Sequence, residues 1–368
     1  MLNGDLTEEI YMKPPPGLTD SNKVLRLHKS LYGLKQAARE WHKKLNEAME
    51  NCGFIRSKYD ECLYIYKDKS LTCYAIVHVD DMLFASNSQN SKNYLGIQVS
   101  RDSEGVFGIC QTDYILKIAS EFELTDTKGS KYPLDPGYHK LDDPVLLDSN
   151  NNFRRLIGKL LYISTNTRPD VSAAVGILAQ RVSKPRELDY TEALRILKYL
   201  IFTKDIKLRM LNTVESAPLL VFSDSDWAED RTTRKSVSGI ICKVFGAPVS
   251  WSSRRQDVIS TSTTEAEFYA LSEALKEAQW LKNILADFDV TVGDSITIFS
   301  DNQSTIKMIE NPKLSARTKH IDVRLHFVRE CVLQGKVLLQ YCSSEDNVAD
   351  ILTKPLAGIR IKYLRDLI

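Results

Sequence analysis

The sequence predicts a protein of mixed α/β and α+β structure, and three observations lead to that prediction. Short apolar, β-branched runs that are typical of strands alternate with longer segments whose apolar residues recur at helical spacing. The Pro- and Asp-rich residues 131–147 interrupt this alternation as a linker would. The 368 residues are enough for two or three domains, each with its own apolar core.

Composition narrows the classes of function. Apolar residues make up 43% and charged residues 26% of the chain, and the net charge is +1. That charge excludes a broadly basic nucleic-acid wrapper but allows a local basic groove. Seven cysteines without C-x-x-C spacing favour reduced intracellular thiols over a zinc site. No apolar run reaches the ~18 residues of a membrane span, and no signal peptide begins the chain, so we expect an intracellular protein without a membrane partner.

The first hundred residues predict short strands around one helix. The predicted strands span 9–12, 24–27, 63–66 and 71–79. A helix is expected from Ala38 to Asn51, because Trp41, Leu45 and Met49 recur at helical spacing and Gly53 follows as a stop signal.

Asp80 and Asp81 lie where two predicted strands meet. A tight hairpin prefers Asn-Gly or Asp-Gly, so adjacent carboxylates repel each other there with no benefit to the backbone. A bound Mg²⁺ would remove that cost, which makes the pair a candidate metal site. A solvated acidic turn is the structural alternative, since water screens such a pair.

Residues 101–216 predict mainly helices and carry no clear catalytic cluster. After a strand near Gly108–Cys110 and a short helix, three helices are expected at 152–165, 168–182 and 189–203. Pro169 suits the first turn of the second helix. Leu194, Leu197, Lys198 and Ile201 form the predicted stripe of the third. A packed helical bundle with solvated lysines explains this region as well as a nucleic-acid contact does.

The last 150 residues predict five strands and four helices. The strands are expected at 219–223, 239–245, 247–252, 296–300 and 337–341, and the helices at 264–288, 302–311, 321–334 and from Asn347 onward. The apolar stripe of the first of these helices runs through Phe268, Leu275 and Leu281.

Acidic residues stand at the ends of several of these predicted elements. Asp224 and Asp226 close the first strand and would share one face of it. Glu267 lies in the first turn of the long helix, Asp301 follows the fourth strand, and Asp350 opens the last helix. Gathered carboxylates repel one another, so a fold that collects them usually holds a divalent cation.

Each acid also has a structural interpretation. Thr264 and Glu267 have the spacing of a capping box, Thr-x-x-Glu. Asp301 could cap the helix that follows it, and Asp350 could interact with a helix dipole. Asp226 could simply begin a loop.

Many blocks of the chain together resemble one family. Leu-Tyr-Gly-Leu-Lys-Gln at 31–36, with Arg39 and Trp41, and Val79-Asp80-Asp81 are similar to the reverse transcriptase of copia-type (Ty1/copia) retrotransposons. Further matching blocks are 3–6, 9–12, 15–17, 94–97, 156–162, 167–170, 251–253, 262–267, 301–303, 317–322 and 349–356. The similarity runs almost end to end, so the chain is identified as a member of the Pol polyprotein family, in its C-terminal reverse transcriptase–RNase H region.

The resemblance implies three domains and an incomplete polymerase. They are a reverse transcriptase palm and fingers fragment (1–100), a helical thumb and connection (101–216), and an RNase H-like domain with a five-stranded mixed sheet (217–368). The first polymerase aspartate of the family precedes the block at residues 2–4, so we expect it to be missing here by N-terminal truncation. Residues 86–93 leave no room for a palm helix of the family, which would leave part of a sheet uncovered. His78 replaces the family's tyrosine and is interpreted as a structural filler.

The resemblance also implies a nuclease site. Asp224, Glu267, Asp301 and Asp350 match the four metal-binding carboxylates of RNase H enzymes. These enzymes hydrolyse the RNA of RNA–DNA hybrids with two Mg²⁺ ions, and Mn²⁺ is the alternative ion. Residues 342–346 lack the histidine that many of these enzymes carry. His320 is the nearest candidate for a proton shuttle or phosphate contact, with a structural role at a helix start as the alternative. The candidate nucleic-acid contacts are Gln36, Arg254, Arg255, Lys319, His320 and Arg324.

Three hypotheses remain open on sequence alone. The first is a retrotransposon remnant with RNase H activity and a disabled polymerase. The second is a non-catalytic nucleic-acid-binding relic. The third is an RNA-directed DNA polymerase whose N-terminal segment is missing from the gene model. Their expected partners are RNA–DNA hybrids and primer–template, and the expected location is a cytoplasmic virus-like particle or the nucleus.

Overall fold

The computed structural model describes residues 4–14, 24–79, 81–86, 93–125, 127–141, 145–210, 217–230, 233–311 and 322–368. The chain divides into two compact units, Met1–Leu95 and Gly96–Ile368. No helix among the described residues has both the length and the apolar character needed to cross a bilayer.

The first unit contains one helix and short strands in its described residues. Its elements are β1 (Asp5–Met12), β2 (Leu25–Lys29), α1 (Ala37–Asn51), β3 (Ile55–Arg56), β4 (Leu63–Lys67), β5 (Thr72–His78), β6 (Asp81–Ser86) and β7 (Asn93–Tyr94). β1 pairs antiparallel with β2, and β3, β4, β5 and β6 form an antiparallel meander. The predicted strands and helix of this region fall within a few residues of these bounds.

A small core joins α1 to the meander of the first unit. Leu45 and Met49 of α1 pack with Tyr64, Ala75 and Val77. Other apolar side chains of the meander stay exposed, among them Ile76 at 39%, Met82 at 38% and Phe84 at 41%. His78 is also exposed, so the expectation that it fills space on the strand is wrong.

The second unit begins with a small sheet and a group of helices. Its first elements are β8 (Ile97–Arg101), β9 (Phe107–Cys110), α2 (Thr112–Glu121), α3 (Asn151–Asn166), α4 (Ser172–Ala179), α5 (Glu187–Phe202) and β10 (Leu208–Met210), with short 3₁₀ helices at Tyr138–Lys140 and Pro169–Val171. β9 pairs antiparallel with both β8 and β10. Pro169 therefore opens a 3₁₀ turn, and the predicted helix over 168–182 is shorter than expected.

Residues 131–147 contain an anchor for the core where the sequence predicted a linker. Leu134 and Tyr138 are fully buried, and the Tyr138 hydroxyl donates a 2.7 Å hydrogen bond to Asp189. The buried apolar residues therefore join this segment to the core despite its Pro- and Asp-rich composition. On α5 the buried face includes Leu197 of the predicted stripe, together with Ile196 and Leu200. Leu194 and Ile201 of that stripe pack, partly buried, against the same core.

The rest of the second unit is built on a five-stranded sheet. Its elements are β11 (Leu219–Ser225), β12 (Val237–Val244), β13 (Ala247–Arg255), α6 (Thr263–Asp287), β14 (Ile296–Ser300), α7 (Gln303–Glu310), α8 (Asp322–Leu333), β15 (Val337–Tyr341), a 3₁₀ helix at Val348–Leu352 and α9 (Gly358–Leu367). The strand order is β13-β12-β11-β14-β15; the first two pairs are antiparallel and the last two parallel. The predicted five-stranded mixed sheet is confirmed.

The C-terminal segment departs from the prediction of one final helix after Asn347. It is a 3₁₀ helix and α9, separated by residues that include Pro355. Proline lacks a backbone N–H, so an uninterrupted helix across this position would lose a hydrogen bond.

Each face of the five-stranded sheet has its own core. Leu219 and Val221 pack with α6 on one face, because alternate residues of a strand point to opposite sides. On the other face Ile241 and Leu352 share a core with α3, α4 and α5, represented by Leu160. The helices that precede residue 217 and the sheet that follows it therefore bury one apolar cluster together.

Candidate metal centre

Three of the four predicted carboxylates meet at one edge of the five-stranded sheet. β11 and β14 are parallel neighbours, so Asp224 near the end of one strand and Asp301 after the other come side by side. Glu267, near the start of α6, is the third member of the group. One carboxylate oxygen from each of the three residues lies within 4.8 Å of the others.

The two carboxylate oxygens of Glu267 have different hydrogen-bonding environments. Its side chain is buried, and the backbone N–H of Ser225 donates a 3.2 Å hydrogen bond to Oε1. Oε2 is buried without a hydrogen-bond partner among the described residues. Buried polar atoms are rarely left unpaired, because losing water without compensation costs about 1–3 kcal/mol. A cation beside Asp224 and Asp301 would supply the missing partner.

The pKa values of these carboxyls show how poorly the site tolerates their charges. Burial, with the charges of Asp224 and Asp301, raises the pKa of Glu267 to about 9. Burial also raises the pKa of Asp224 to about 6, although Lys354 and a hydrogen bond from Thr353 oppose the shift. Both groups are penalised as anions, and a bound cation would reverse that penalty.

Asp350 lies beside this group but outside it. Its Oδ1 is 2.5 Å from Nζ of Lys354, and its Oδ2 is 3.3 Å from Nη2 of Arg360. Its negative charge raises the pKa of Asp224, so the two carboxyls are near neighbours. The structure thus places three of the predicted ligands together and holds the fourth between two cations.

Neighbouring residues perform the capping roles that offered a structural explanation of these acids. Ser262, rather than Thr264, caps α6 by accepting a hydrogen bond from Glu265, and the carboxylate of Glu265 accepts from Thr261. The predicted Thr264–Glu267 capping box is therefore wrong, and Glu267 lies beyond the first turn.

Other residues also cap the helices that follow Asp301 or contain Asp350. Asn302 caps α7, the helix after Asp301, by accepting from Thr305 at 2.9 Å. Asn347 caps the 3₁₀ helix of Asp350 by accepting from Ala349 at 3.2 Å. Asp301 is therefore not needed as a cap, whereas Asp350 lies in the first turn of the 3₁₀ helix, where a carboxylate can interact with the helix dipole.

Asp226 has a structural role. It lies one residue past β11, where its backbone N–H still donates a 3.1 Å hydrogen bond to the carbonyl of Val237 on β12. Its two carboxylate oxygens accept hydrogen bonds from the backbone N–H groups of Val237 and, at 3.2 Å, Glu229. Burial raises its pKa to about 7. Asp226 therefore stabilises the loop after β11 through the two hydrogen bonds that its carboxylate accepts.

The predicted nucleic-acid contacts lie in different environments. Arg254 is exposed near the end of β13. Arg255 donates a 2.9 Å hydrogen bond to Gln180. Arg324 pairs with Glu273 at 3.1 Å.

The remaining predicted positions belong to the first unit or lie outside the described residues. Gln36 donates a 2.7 Å hydrogen bond to Glu8 within the first unit. Asp81 is exposed at the start of β6. Asp80, Lys319 and His320 lie outside the described residues.

Sequence reasoning missed several residues that contact the candidate ligands or the strand that carries Asp224. Thr353 donates a hydrogen bond from Oγ1 to Oδ2 of Asp224. Asn347 donates from its amide to the carbonyl of Ser223 at 3.0 Å and so ties the C-terminal segment to β11. Lys354 pairs with Asp350, and the i,i+4 spacing of opposite charges was the available signal.

Gly239→Ala is expected to damage both stability and the site. A Cβ at Gly239 would lie 2.7 Å from Thr353 Cγ2, 2.8 Å from the Ala349 carbonyl oxygen and 2.9 Å from Leu352 Cβ. All three belong to the segment that carries Asp350. We expect the free energy of unfolding to fall by about 1–3 kcal/mol, as measured by denaturant titration.

The matched control is Gly158→Ala in α3. A Cβ there meets no atom within 4 Å, and alanine favours a helix over glycine by about 0.5–1 kcal/mol. Gly158→Ala should therefore leave stability unchanged or raise it. A Gly239→Ala chain as stable as the parent would contradict the close packing described here.

Glu267→Gln is expected to change how stability depends on pH. Because its folded pKa of about 9 exceeds the ordinary glutamate pKa of 4.5, the metal-free folded chain keeps a proton that the unfolded chain releases. This carboxyl's contribution to stability is therefore lost as pH rises toward 9. Chemical unfolding between pH 6 and 9 should show Glu267→Gln gaining stability relative to the parent as pH rises. Parallel pH profiles would contradict the burial of this carboxyl.

Comparisons with known proteins can now be set beside the geometry of the fold. The mixed sheet of the second unit, with α6 and the acids at its edge, defines an RNase H-like fold. LC11-RNase H1, isolated from compost, matches with a TM-score of 0.30 and 15% sequence identity, over 38% of this chain and 94% of that one. Residues 1–91 match the family "Reverse transcriptase (RNA-dependent DNA polymerase)".

Curated relatives give the family itself. The Pol polyprotein from transposon RE1 of Arabidopsis thaliana is 32% identical over 388 residues, covering 97% of this chain and 26% of that protein. The putative transposon Ty5-1 protein YCL074W of Saccharomyces cerevisiae is 30% identical, over 75% of this chain and 97% of that protein. The chain belongs to the Pol polyprotein family of copia-type retrotransposons. It spans about a quarter of the length of the Arabidopsis relative.

Proposed function

We propose that the second unit is a Mg²⁺-dependent RNase H that hydrolyses the RNA strand of RNA–DNA hybrids. The observation that carries this proposal is the meeting of Asp224, Glu267 and Asp301 within 4.8 Å at the edge of an RNase H-like sheet. The unpartnered Oε2 of Glu267 supports it, since three carboxylates and an orphaned oxygen make a poor structural feature and a good cation site.

The residues present suit Mg²⁺. Carboxylate oxygens are the ligands that this hard cation prefers. Asp224, Glu267 and Asp301 would hold it, and Asp350 would join them on leaving Lys354. Two Mg²⁺ ions would supply an activated water and neutralise charge on the leaving 3′ oxygen.

The residues around the carboxylates would orient the reacting groups. Thr353 fixes one oxygen of Asp224, and the Ser225 backbone N–H fixes one oxygen of Glu267. Ser344 donates a 2.6 Å hydrogen bond to Asp301. Each carboxylate thus keeps one oxygen oriented, which is the preorganisation that phosphoryl transfer requires.

Arg254 is the proposed contact for the hybrid backbone. Arg254 is exposed and pairs with Ser238 of β12. Ser238 in turn pairs with Ser225 at the end of β11, so Arg254 lies two strands away from that end. Neighbouring strands are about 4.8 Å apart, so this separation is about 10 Å. Its guanidinium can pair with a phosphate beside the cleavage site, and binding should weaken as salt rises.

RNA-directed DNA polymerisation is the second candidate, favoured by the family match over residues 1–91. We propose that the first unit, which contains these residues, polymerises DNA poorly. Only residues 86–93 lie where the family has a palm helix, and Ile76 and Phe84 are 39% and 41% exposed. Primer extension above background that is lost in Asp81→Asn would overturn this view.

Cleavage of a hybrid by the full chain tests the nuclease. With Mg²⁺ we expect end-labelled RNA to be cut in an RNA–DNA hybrid and left intact as a single strand. Breaking the bond to the 3′ oxygen gives 3′-hydroxyl and 5′-phosphate ends, which distinguishes this reaction from cleavage through the RNA 2′-hydroxyl. Equal cleavage of single-stranded RNA, or cleavage that persists in chelator, would contradict the proposal.

A further inference from the structure

The guanidinium of Arg360 is the centre of a hydrogen-bond network beside the candidate metal centre. Nε and Nη2 lie 3.4 and 3.3 Å from Oδ2 of Asp350. Nη1 donates to the carbonyl of Glu345 at 2.7 Å, and Nη2 donates to the carbonyl of Ser344 at 2.6 Å. All three nitrogens are engaged by acceptors from a carboxylate and a loop.

This network reaches a second candidate ligand. Ser344, whose carbonyl accepts from Arg360, donates its hydroxyl to Oδ2 of Asp301 at 2.6 Å. Arg360 therefore touches Asp350 directly and Asp301 through one residue. No other cation among the described residues bridges these two acids in the hydrogen bonds of the structure.

The position of Arg360 is set by the packing of α9. Ile361 and Leu364, on the same helix, are buried in the core that α3, α4 and α5 share with the sheet. The guanidinium lies 5.7 Å from the ring centroid of Tyr363. An arginine held by its helix and its neighbours loses little freedom when it binds a carboxylate.

We propose that Arg360 is a positioning residue for the metal centre. It holds Asp350 and the Ser343–Asp346 loop so that Asp301 presents its other oxygen to the cation, and so that Asp350 can do the same on leaving Lys354. This inference rests on the proposed function, because it assigns a task within the same site. It also gives α9 a part in the site, although α9 supplies no carboxylate ligand.

Arginine suits this task better than lysine. Its planar fork offers donors in fixed directions, so it can bind a carboxylate and two carbonyls at once. Lys354, by comparison, forms one contact with the opposite oxygen of Asp350. Arg360→Lys should keep the charge and lose the geometry.

The test compares Arg360→Ala, Arg360→Lys and Lys362→Ala in the full chain. Lys362 is exposed on the same helix and serves as the matched control. Mg²⁺ binding is measured by titration calorimetry, and cleavage is measured against Mg²⁺ and hybrid concentration. Residues that orient metal ligands typically change metal affinity by 10–100-fold.

The expected pattern separates positioning from mere stability. Arg360→Ala should weaken Mg²⁺ binding by about 10–100-fold and raise the Mg²⁺ concentration for half-maximal cleavage equally, with KM for the hybrid unchanged. Arg360→Lys should fall between Arg360→Ala and the parent, and Lys362→Ala should match the parent. Unchanged Mg²⁺ affinity in folded Arg360→Ala would overturn the inference, even if that variant unfolds more easily.

The calorimetry also keeps this inference distinct from the proposed function. If the parent binds Mg²⁺ without cutting the hybrid, and Arg360→Ala weakens that binding, the nuclease proposal fails and the positioning role stands. If the parent cuts the hybrid and Arg360→Ala has an unchanged Mg²⁺ requirement, the positioning role fails alone. A parent chain that binds no Mg²⁺ overturns both.

Discussion

Asp224→Asn should reduce hybrid cleavage by more than about 100-fold at saturating Mg²⁺, because it removes a charged ligand rather than a group that only orients one. Asparagine keeps the size of the side chain, and its carbonyl oxygen can still accept the hydrogen bond from Thr353. Initial rates at a fixed hybrid concentration measure the effect.

Asp224→Asn should lose activity without losing stability. Burial raises the pKa of Asp224 to about 6, so its charge above that pH costs stability in the metal-free chain. Asp224→Asn should therefore be at least as stable as the parent at pH 8 without Mg²⁺. An inactive and unfolded variant would not satisfy this prediction.

Asp226→Asn is the matched control for the loss of activity. Asp226 is as deeply buried as Glu267, both being 6% exposed, yet its oxygens accept from backbone N–H groups. We expect its folded fraction to cleave within about tenfold of the parent, because no ligand is lost. Equal losses in Asp224→Asn and Asp226→Asn would contradict the distinction between the two acids.

Arg168→Ala should cost about 3–5 kcal/mol of unfolding free energy, the largest stability effect expected here. Arg168 and Asp170 are each 3% exposed and form two hydrogen bonds, of 2.8 and 2.7 Å. Arg168 also donates to the Thr203 carbonyl and hydroxyl at 3.2 and 2.7 Å. Removing the guanidinium leaves a buried carboxylate whose remaining partner includes Tyr199 at 2.7 Å.

Arg209→Ala provides the contrast. Arg209 pairs with Asp102 at 3.0 Å, but their side chains are 48% and 39% exposed. Such pairs contribute about 0–1 kcal/mol because water screens them. Denaturant titration of both variants in the full chain measures the difference. Similar losses of unfolding free energy in the two variants would contradict the prediction that the buried Arg168–Asp170 pair contributes more to stability than the exposed pair does.

The sequence predicted most elements of the chain because their signals are local. The stripe of Phe268, Leu275 and Leu281 predicted α6 within one residue at each end. The apolar run before Asp224 predicted β11, and similar runs predicted the other four strands of the sheet. Pattern and backbone preference agree in these segments, so neighbouring residues were sufficient.

The errors arose where distant residues decide the structure. Residues 131–147 have the composition of a linker, but Tyr138 reaches Asp189, 51 positions away, to join the core. At Asp224 the partner is Thr353, 129 positions away. Spacing rules describe contacts within one helix or strand, so they contain no signal for either pair.

The sequence was sufficient to predict the acidic residues of the candidate site, but not the residues that surround them. Asp224, Glu267 and Asp301 were found from their positions at element ends and from the family resemblance. The sequence could not choose between capping and metal binding, because Thr264-x-x-Glu267 satisfies the capping pattern as written. The structure shows Ser262 in the capping role instead.

Anomalous diffraction from Mn²⁺-soaked crystals of the full chain tests the central claim most directly. Mn²⁺ also prefers oxygen ligands, and its position can be located independently of the protein atoms. We predict a peak about 2 Å from one oxygen each of Asp224, Glu267 and Asp301, with Oε2 of Glu267 as a ligand. An empty cluster in crystals that bind Mn²⁺ elsewhere would contradict the assignment of these carboxylates as a metal centre.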